Sequence, residues 1–482
     1  MLDLRPVLYT LGSLVLMLAG GMFIPVMFDL IAGHEDWEIF VLAAFLSASV
    51  GGMFMLANRG TGDALNLRQA FLLTFLAWAA LPAFAALPLA FSELNLSYTD
   101  AYFEAMSGLT TTGSTIITGL DTAPPGILIW RALLQWFGGI GIVVMAVAVL
   151  PMLQVGGMQV FKAESFDTVE KILPRAGQIS GVISGVYVAL TALCMFAYLV
   201  AGMGAFDALA HAMTTIATGG FSTSDASIGK FDSFSIDMLS TFFMIIGSIP
   251  FILYLQILRG KPLAIWKDEQ VRGFLKLVFF LCLAVVAWLI LWKGFSLPEA
   301  VRYGIFNIIS ILTGTGYSTI DYSQWGSFSA TLFFMVMFIG GCAGSTSCGI
   351  KIFRFQVLLK SMKSWIDHIL QPNGVFIARY NGRPIGEDVR NSVMSFLTLF
   401  LGTFVLLSLA ISATGADWIT SFSSAGTALA NVGPGLGDDV GPAGTFGGLN
   451  DSAKWLMSLG MLVGRLELFS VLVLLSPRFW RA

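Results

Sequence analysis

Apolar runs long enough to cross a bilayer recur from one end of this sequence to the other, and no other feature restricts the possible folds as much. They lie near residues 7–30, 39–57, 69–91, 132–152, 181–201, 238–258, 274–292, 392–413 and 455–475. A helix needs roughly 20 residues to span the hydrocarbon layer. With 56% hydrophobic and 11% charged residues, the chain cannot have water as its main solvent. A spanning β-barrel would need short alternating strands in place of continuous runs, so the sequence reads as an all-α integral membrane protein. The run from Val7 to Leu30 is longer than the apolar stretch of a signal peptide and a second run follows at once, which makes it a retained span.

Charge orients the chain, because Lys and Arg concentrate in loops that stay cytoplasmic. One set of loops holds Arg59, Arg68, Lys162, Lys171, Arg175, Arg259, Lys261, Lys267, Arg272, Lys276, Lys351, Arg354, Lys360, Lys363, Arg379, Arg383, Arg390, Arg478 and Arg481. The alternate set is acidic, with Glu35, Asp36, Asp100, Glu104, Asp207, Asp225, Asp232, Glu299, Asp321, Asp417, Asp438 and Asp439. The first set is expected inside with both termini, the second outside. Cys194, Cys282, Cys342 and Cys348 lie in or beside apolar runs without metal-ligand spacing to His34, His211 or His368, and read as free thiols.

Four stretches share a plan of span, short segment opened by an acid, glycine-centred Ser/Thr-rich piece, and second span. They are residues 97–116, 204–223, 296–319 and 415–437. Each short segment begins with helix-start chemistry: Ser97 with Asp100, Asp207, Ser296 with Pro298 and Glu299, and Asp417. None is long enough to span, so each is expected to be a re-entrant half-helix that points its carbonyl end at the bundle axis, where four such ends favour a cation. The irregular backbone after each must line a water-filled path, since lipid cannot satisfy it. Helix packing explains any single Gly/Thr cluster; four in equivalent places point to a pore. Aligning Gly113, Gly219, Gly316 and Gly433 gives the expected filter: Thr111, Thr112, Gly113; Ala217, Thr218, Gly219; Gly314, Thr315, Gly316; and Asn431, Val432, Gly433. The implied organisation is a two-span N-terminal hairpin (1–68) and pore repeats at 69–155, 156–262, 263–372 and 373–482, pseudo-symmetric about one central pore.

At these residues the sequence resembles, over essentially its whole length, the superfamily of potassium transporters that includes TrkH, TrkG, KtrB and the plant HKT proteins. The last filter piece, NVGPGLG, lacks the threonine of the others. FIGGCAGSTSCGIKIFR (338–354) has the form of the family's interrupted third-repeat span, with Cys348 at a position of glycine in the family. VGRLELF and the N-terminal hairpin fit the TrkH/TrkG branch. The resemblance implies selective permeation of potassium and rubidium, with potassium as the transported ion. The small residues Gly340, Gly341, Ala343, Gly344 and Ser345 permit a loop to fold inward beneath the filter as a gate, with the mid-membrane Arg465 beside it, and the resemblance implies a homodimer and a TrkA-like cytosolic nucleotide-binding regulatory subunit beside the membrane lipid. In the plant relatives, serine at the first filter position accompanies sodium transport. Glu467, two residues from Arg465, points away from it on a helix and is expected to pair with another span or the loop.

A potassium symporter coupled to protons or sodium is the competing function, but four half-helices entering from the same side imply a continuous axial path in place of inverted repeats. No HExxH, GxSxG or P-loop pattern occurs, so the chain is read as neither an enzyme nor a nucleotide or nucleic-acid binder. GTGYST (314–319) approaches a dinucleotide fingerprint but has no strand before it.

Overall fold

A computed structural model describes residues 3–60, 65–145 and 176–481; the repeat boundary expected at 155–156 and Lys162, Lys171 and Arg175 lie outside them. Among the described residues, seven helices are long and apolar enough to cross a membrane, or nine when two bent pairs each count as one span. The protein is a multi-pass membrane protein. Its first span, Arg5–Ala32, packs along Trp37–Ala57 where Gly12 meets Gly51: a Cβ on Gly12 would stand 2.6 Å from the Gly51 carbonyl oxygen. Small residues at such crossings let two backbones approach in lipid. Asp29 ties this hairpin to the first repeat by accepting from the Gly126 backbone N–H at 2.6 Å.

Each repeat then follows the expected plan. The half-helices are Tyr98–Leu109, Ala205–Ile216, Leu297–Leu312 and Trp418–Ala430. Three start on side-chain caps: Ser97 accepts from the Asp100 N–H, Ser296 and Glu299 form a capping box, and Asp417 accepts from the Ile419 and Thr420 N–H groups. The second departs from expectation. Gly204 is its N-cap, and Asp207 instead accepts from the Thr223 hydroxyl at 2.6 Å, holding the chain that follows the filter.

The second spans hold the main difference from the sequence reading, which expected only the third to be interrupted. In the second repeat, Phe234–Gly247 and Phe251–Leu258 meet at 91°, at Ser248-Ile249-Pro250, where proline removes a helical donor. In the fourth, Asp451–Arg465 and Phe469–Leu475 meet at 108°. Here Glu467 and Leu468 both take left-handed backbone, with φ of 55° and 51°, a conformation that costs about 1–3 kcal/mol per non-glycine residue and persists only where packing enforces it. In the third, Ser327–Met337 and Ile352–Leu370 are separated by the expected loop. The fold is also not wholly helical: Ile339–Gly340 pairs in parallel with Ile350–Lys351 across the neck of that loop, and Arg379–Tyr380 pairs antiparallel with Arg383–Pro384. The four cysteines are free.

Candidate ion pathway and its barrier

All four half-helices end the same way, and their ends define the register of the pathway. The backbone N–H of Thr112, Gly219, Thr315 and Val432 returns to Ser107, Thr214, Ser310 and Thr427 at 2.9–3.0 Å. The residue before each of them, Thr111, Thr218, Gly314 and Asn431, is left-handed, with φ of 53°, 50°, 76° and 52°. This is the helix-terminating geometry that satisfies trailing carbonyls. The register corrects one expected position: the residue equivalent to Gly113, Gly316 and Gly433 is Gly220, and Ala217, Thr218 and Gly219 stand one place earlier than the alignment put them. Two adjacent glycines concealed the shift. Gly113, Gly220 and Gly316 share positive φ (87°, 81° and 84°), whereas Gly433 does not.

These segments close a ring. A Cβ on Gly113 would strike the Gly219 carbonyl oxygen, one on Gly220 that of Thr315, one on Gly316 the Gly433 backbone, and one on Gly433 the Gly113 carbonyl. Contact therefore runs from the first repeat to the second, third and fourth and back to the first, with no room for a side chain. Thr110 and Thr112 share a hydroxyl–hydroxyl bond at 2.7 Å, and Thr313 and Thr315 repeat it at 2.8 Å. Asn431 replaces such a pair in the fourth repeat by donating across the ring to the Thr112 hydroxyl at 3.0 Å.

Behind the ring lies a set of braces that the sequence reading missed. Glu104, His211, Asn307 and Ser424 occupy one equivalent position of the four half-helices. Glu104 accepts from the Ile116 N–H and the Thr115 hydroxyl, both at 2.9 Å; His211 Nε2 shares a 2.9 Å bond with the Ser222 hydroxyl; Asn307 donates to the Thr319 hydroxyl at 2.8 Å. The Ser424 hydroxyl is buried without a partner among the described residues. Glu104 is therefore not an outer-surface acid: it is fully buried against Arg131 at 2.8 Å. Arg131 also donates to the Ser222 carbonyl at 2.8 Å and lies 4.1 Å over the Phe221 ring, so one ion pair braces two repeats. Gln135 donates to the Gly219 carbonyl at 2.6 Å and accepts from the Phe221 N–H at 3.0 Å. The signal for Arg131 was present, since an arginine inside an apolar span is a functional position by default.

The third-repeat loop fills the space beneath the ring, and its contacts come from residues just past the expected ones. Thr346 donates its hydroxyl to the Ile216 carbonyl at 2.9 Å, Ser347 to that of Thr313 at 2.6 Å, and the Gly349 N–H to that of Ala430 at 2.9 Å. Cys348 Sγ lies 3.4 Å from the Thr111 hydroxyl. The loop thus occupies the carbonyl ends of three half-helices and touches the fourth, the groups that would otherwise face a cation. The expected residues anchor it instead. Gly340 joins the neck pairing, Gly341 N–H donates to Ser347, Ala343 N–H to Gln270 at 2.6 Å, Gly344 accepts from the Phe251 N–H at 2.9 Å, and Ser345 bonds Cys342. Phe251 belongs to the bend of the second repeat, so that break seats the loop.

Arg465 is buried and, among the described residues, has no carboxylate partner. It donates to Cys348 Sγ at 2.9 Å and to the Gly138 carbonyl at 3.2 Å, and its Nε has no partner among the described residues. Glu467 pairs with Arg354, as the expectation of a partner on another span required. Lys351 and Arg354 are therefore not cytoplasmic surface residues. Both are buried, Lys351 donating to the Ser347 carbonyl and Arg354 stacking 3.7 Å over Phe396, because each charge finds a partner inside. The cavity bounded by Cys348, Lys351, Asn431 and Arg465 measures about 30 Å³, room for about one water and not for a hydrated cation.

The profile of the TrkH family, described as cation transport protein, matches residues 37–482. The Trk system potassium uptake protein TrkI of Halomonas elongata is 42% identical over 477 residues, covering 99% of this chain and 97% of the relative. The protein TrkH of Escherichia coli K12, of the same system name, is 39% identical over 484 residues, covering 99% of each. The crystal structure of the potassium transporter TrkH from Vibrio parahaemolyticus matches with a TM-score of 0.93 at 36% identity, covering 100% of both chains.

Proposed function

The chain belongs to the TrkH family of cation transport proteins, and from that premise we propose that it is the pore-forming subunit of a potassium uptake system of the inner membrane. The observation that carries this reading is the closed ring of four backbone segments at the ends of four half-helices. Potassium, with rubidium as its substitute, sheds water and is carried by ring carbonyls and threonine hydroxyls, favoured by the negative helix ends. The filter is Thr111, Thr112, Gly113; Thr218, Gly219, Gly220; Gly314, Thr315, Gly316; and Asn431, Val432, Gly433.

The third-repeat loop and Arg465 are the gate. A fixed positive charge about 4 Å from a cation at an effective dielectric near 20 opposes it by about 4 kcal/mol, so conduction requires both the loop and the arginine to move. A cytosolic nucleotide-binding subunit, docked on the basic face with both termini, supplies that movement to a homodimer. The test is purified chain in liposomes, alone, with rubidium, potassium and sodium fluxes recorded under imposed electrical and proton gradients. Fluxes that follow the electrical gradient and favour rubidium and potassium support permeation through the ring; uptake that requires a proton or sodium gradient makes the protein a symporter.

A further inference from the structure

Beside the first repeat lies a much larger cavity, of about 650 Å³, walled by the helices Arg5–Gly21, Leu67–Phe91 and Pro125–Val144. It is built for hydrocarbon. Among the described lining residues the hydroxyls are those of Thr10 and Thr74, which donate within their own helices to the Pro6 and Ala70 carbonyls at 2.9 and 2.8 Å, so the Trp78 indole N–H is the side-chain donor left in an otherwise apolar wall. A polar occupant would leave most of its own groups without hydrogen-bond partners, which disfavours it against an acyl chain.

All three walls are membrane spans, so the solvent at the mouth is lipid. Met17 on the rim is 71% exposed. Pro125–Val144 is the most buried of the long spans, yet Phe137, Ile140, Gly141 and Val144 are partly exposed and all line this cavity. Spaced i, i+3, i+4 and i+7, they form one helix stripe. We propose that an acyl chain of a membrane phospholipid enters laterally and fills this cavity as a specific site.

The site borders the pathway through two contacts. Leu109, the last residue of the first half-helix, and Gly138 form part of the lining, and a Cβ on Gly138 would overlap the Leu109 carbonyl. The same Gly138 accepts Arg465 at 3.2 Å, and the cavity-lining Trp78 ring lies 5.5 Å from the Arg465 guanidinium carbon. An acyl chain packed on Trp78 and Phe137 therefore supports from outside the seat of Arg465. Its binding is independent of the gate described above; its effect on flux rests on that reading.

The test uses the full chain in nanodiscs of phosphatidylethanolamine and phosphatidylglycerol doped with a phospholipid bearing a mid-chain diazirine. Photolabelling is mapped by mass spectrometry. Labelling of 73–81 and 137–145 at least fivefold above the lipid-facing helix Glu387–Ser412 is expected; equal labelling overturns the site. In Thr74→Leu/Gly141→Leu, which places side chains in the cavity, the enrichment should disappear, and its persistence also overturns the site. If the double variant does not fold, competition on the parent by excess unlabelled phospholipid replaces it: the enriched label should fall faster than the background, and a parallel fall overturns the site. Rubidium flux through the filled variant should change at least twofold; a lost label with unchanged flux overturns the coupling to Arg465.

Discussion

The ring and the loop beneath it are made of the same materials, glycines and small hydroxyls, yet they are held in opposite ways. The ring is braced from behind by groups that face away from the path, and the buried charges Glu104 and Arg131 among them neutralise each other. The loop is held by hydrogen bonds to half-helix carbonyls, that of Thr313 in its own repeat and those of Ile216 and Ala430 in two others. Its neighbouring charge, Arg465, rests on a thiol and a backbone oxygen. Neutral bonds of this kind contribute about 1 kcal/mol each, whereas a buried charge left without its partner costs far more. On the proposed reading the same residue types produce a fixed ring and a displaceable plug, and the partners make the difference.

The strongest challenge to this contrast is Arg131→Ala. It removes the partner of a fully buried Glu104 together with a brace to Ser222, and breaking such a pair costs about 3–5 kcal/mol. Folded yield and thermal unfolding in detergent should fall sharply, and Arg131→Ala/Glu104→Gln should recover part of the loss. A stable single variant would mean that the ring is not braced here.

On the plug side, Arg465→Ala, or removal of part of 340–348, should leave a folded protein and raise rubidium flux severalfold without any partner subunit. Cys348→Gly, which removes the sulfur acceptor of Arg465, should raise it less. Parent-like flux in all of these folded variants would make the loop a structural plug and not a gate.

The half-helix starts should respond least. Hydrogen bonds from Ser296 hold the Glu299 carboxyl below its usual range, and those from Thr420 and Ile419 do the same for Asp417. Groups depressed in the folded state contribute stability that is present above the ordinary carboxylate range and lost as pH falls through the folded value. Asp417→Ala should therefore cost about 1 kcal/mol at neutral pH, with the gap from the parent closing below pH about 4. Thermal unfolding as a function of pH measures this. A gap that persists in acid would assign the loss to packing.

Much of this architecture was legible in the sequence because lipid makes the rules strict. A short acidic-capped helix followed by irregular backbone has few places to go in a membrane, which is why four half-helices and three of the four glycines of the ring could be placed. The register of the second repeat was not, because Thr218-Gly219-Gly220 offers two glycines and only the N–H that returns to Thr214 decides between them. The bend at Ser248–Pro250 carried a proline signal; the bend at Leu466–Leu468 has no proline to announce it and is held by packing. Sequence also shows that a charge sits near the membrane without naming its partner. Glu104, Lys351 and Arg354 therefore read as surface groups, although Arg131, Ser347 and Glu467 hold them inside.

Gly113 tests the central claim most directly, because its missing side chain is what lets the first and second repeats touch. Purified Gly113→Ser in liposomes, with rubidium and sodium uptake measured under the same electrical gradient, should show a fall in the rubidium-to-sodium ratio of at least severalfold, with the protein still folded. A folded variant that conducts with the parent's ratio would contradict the assignment of this ring as the selectivity filter.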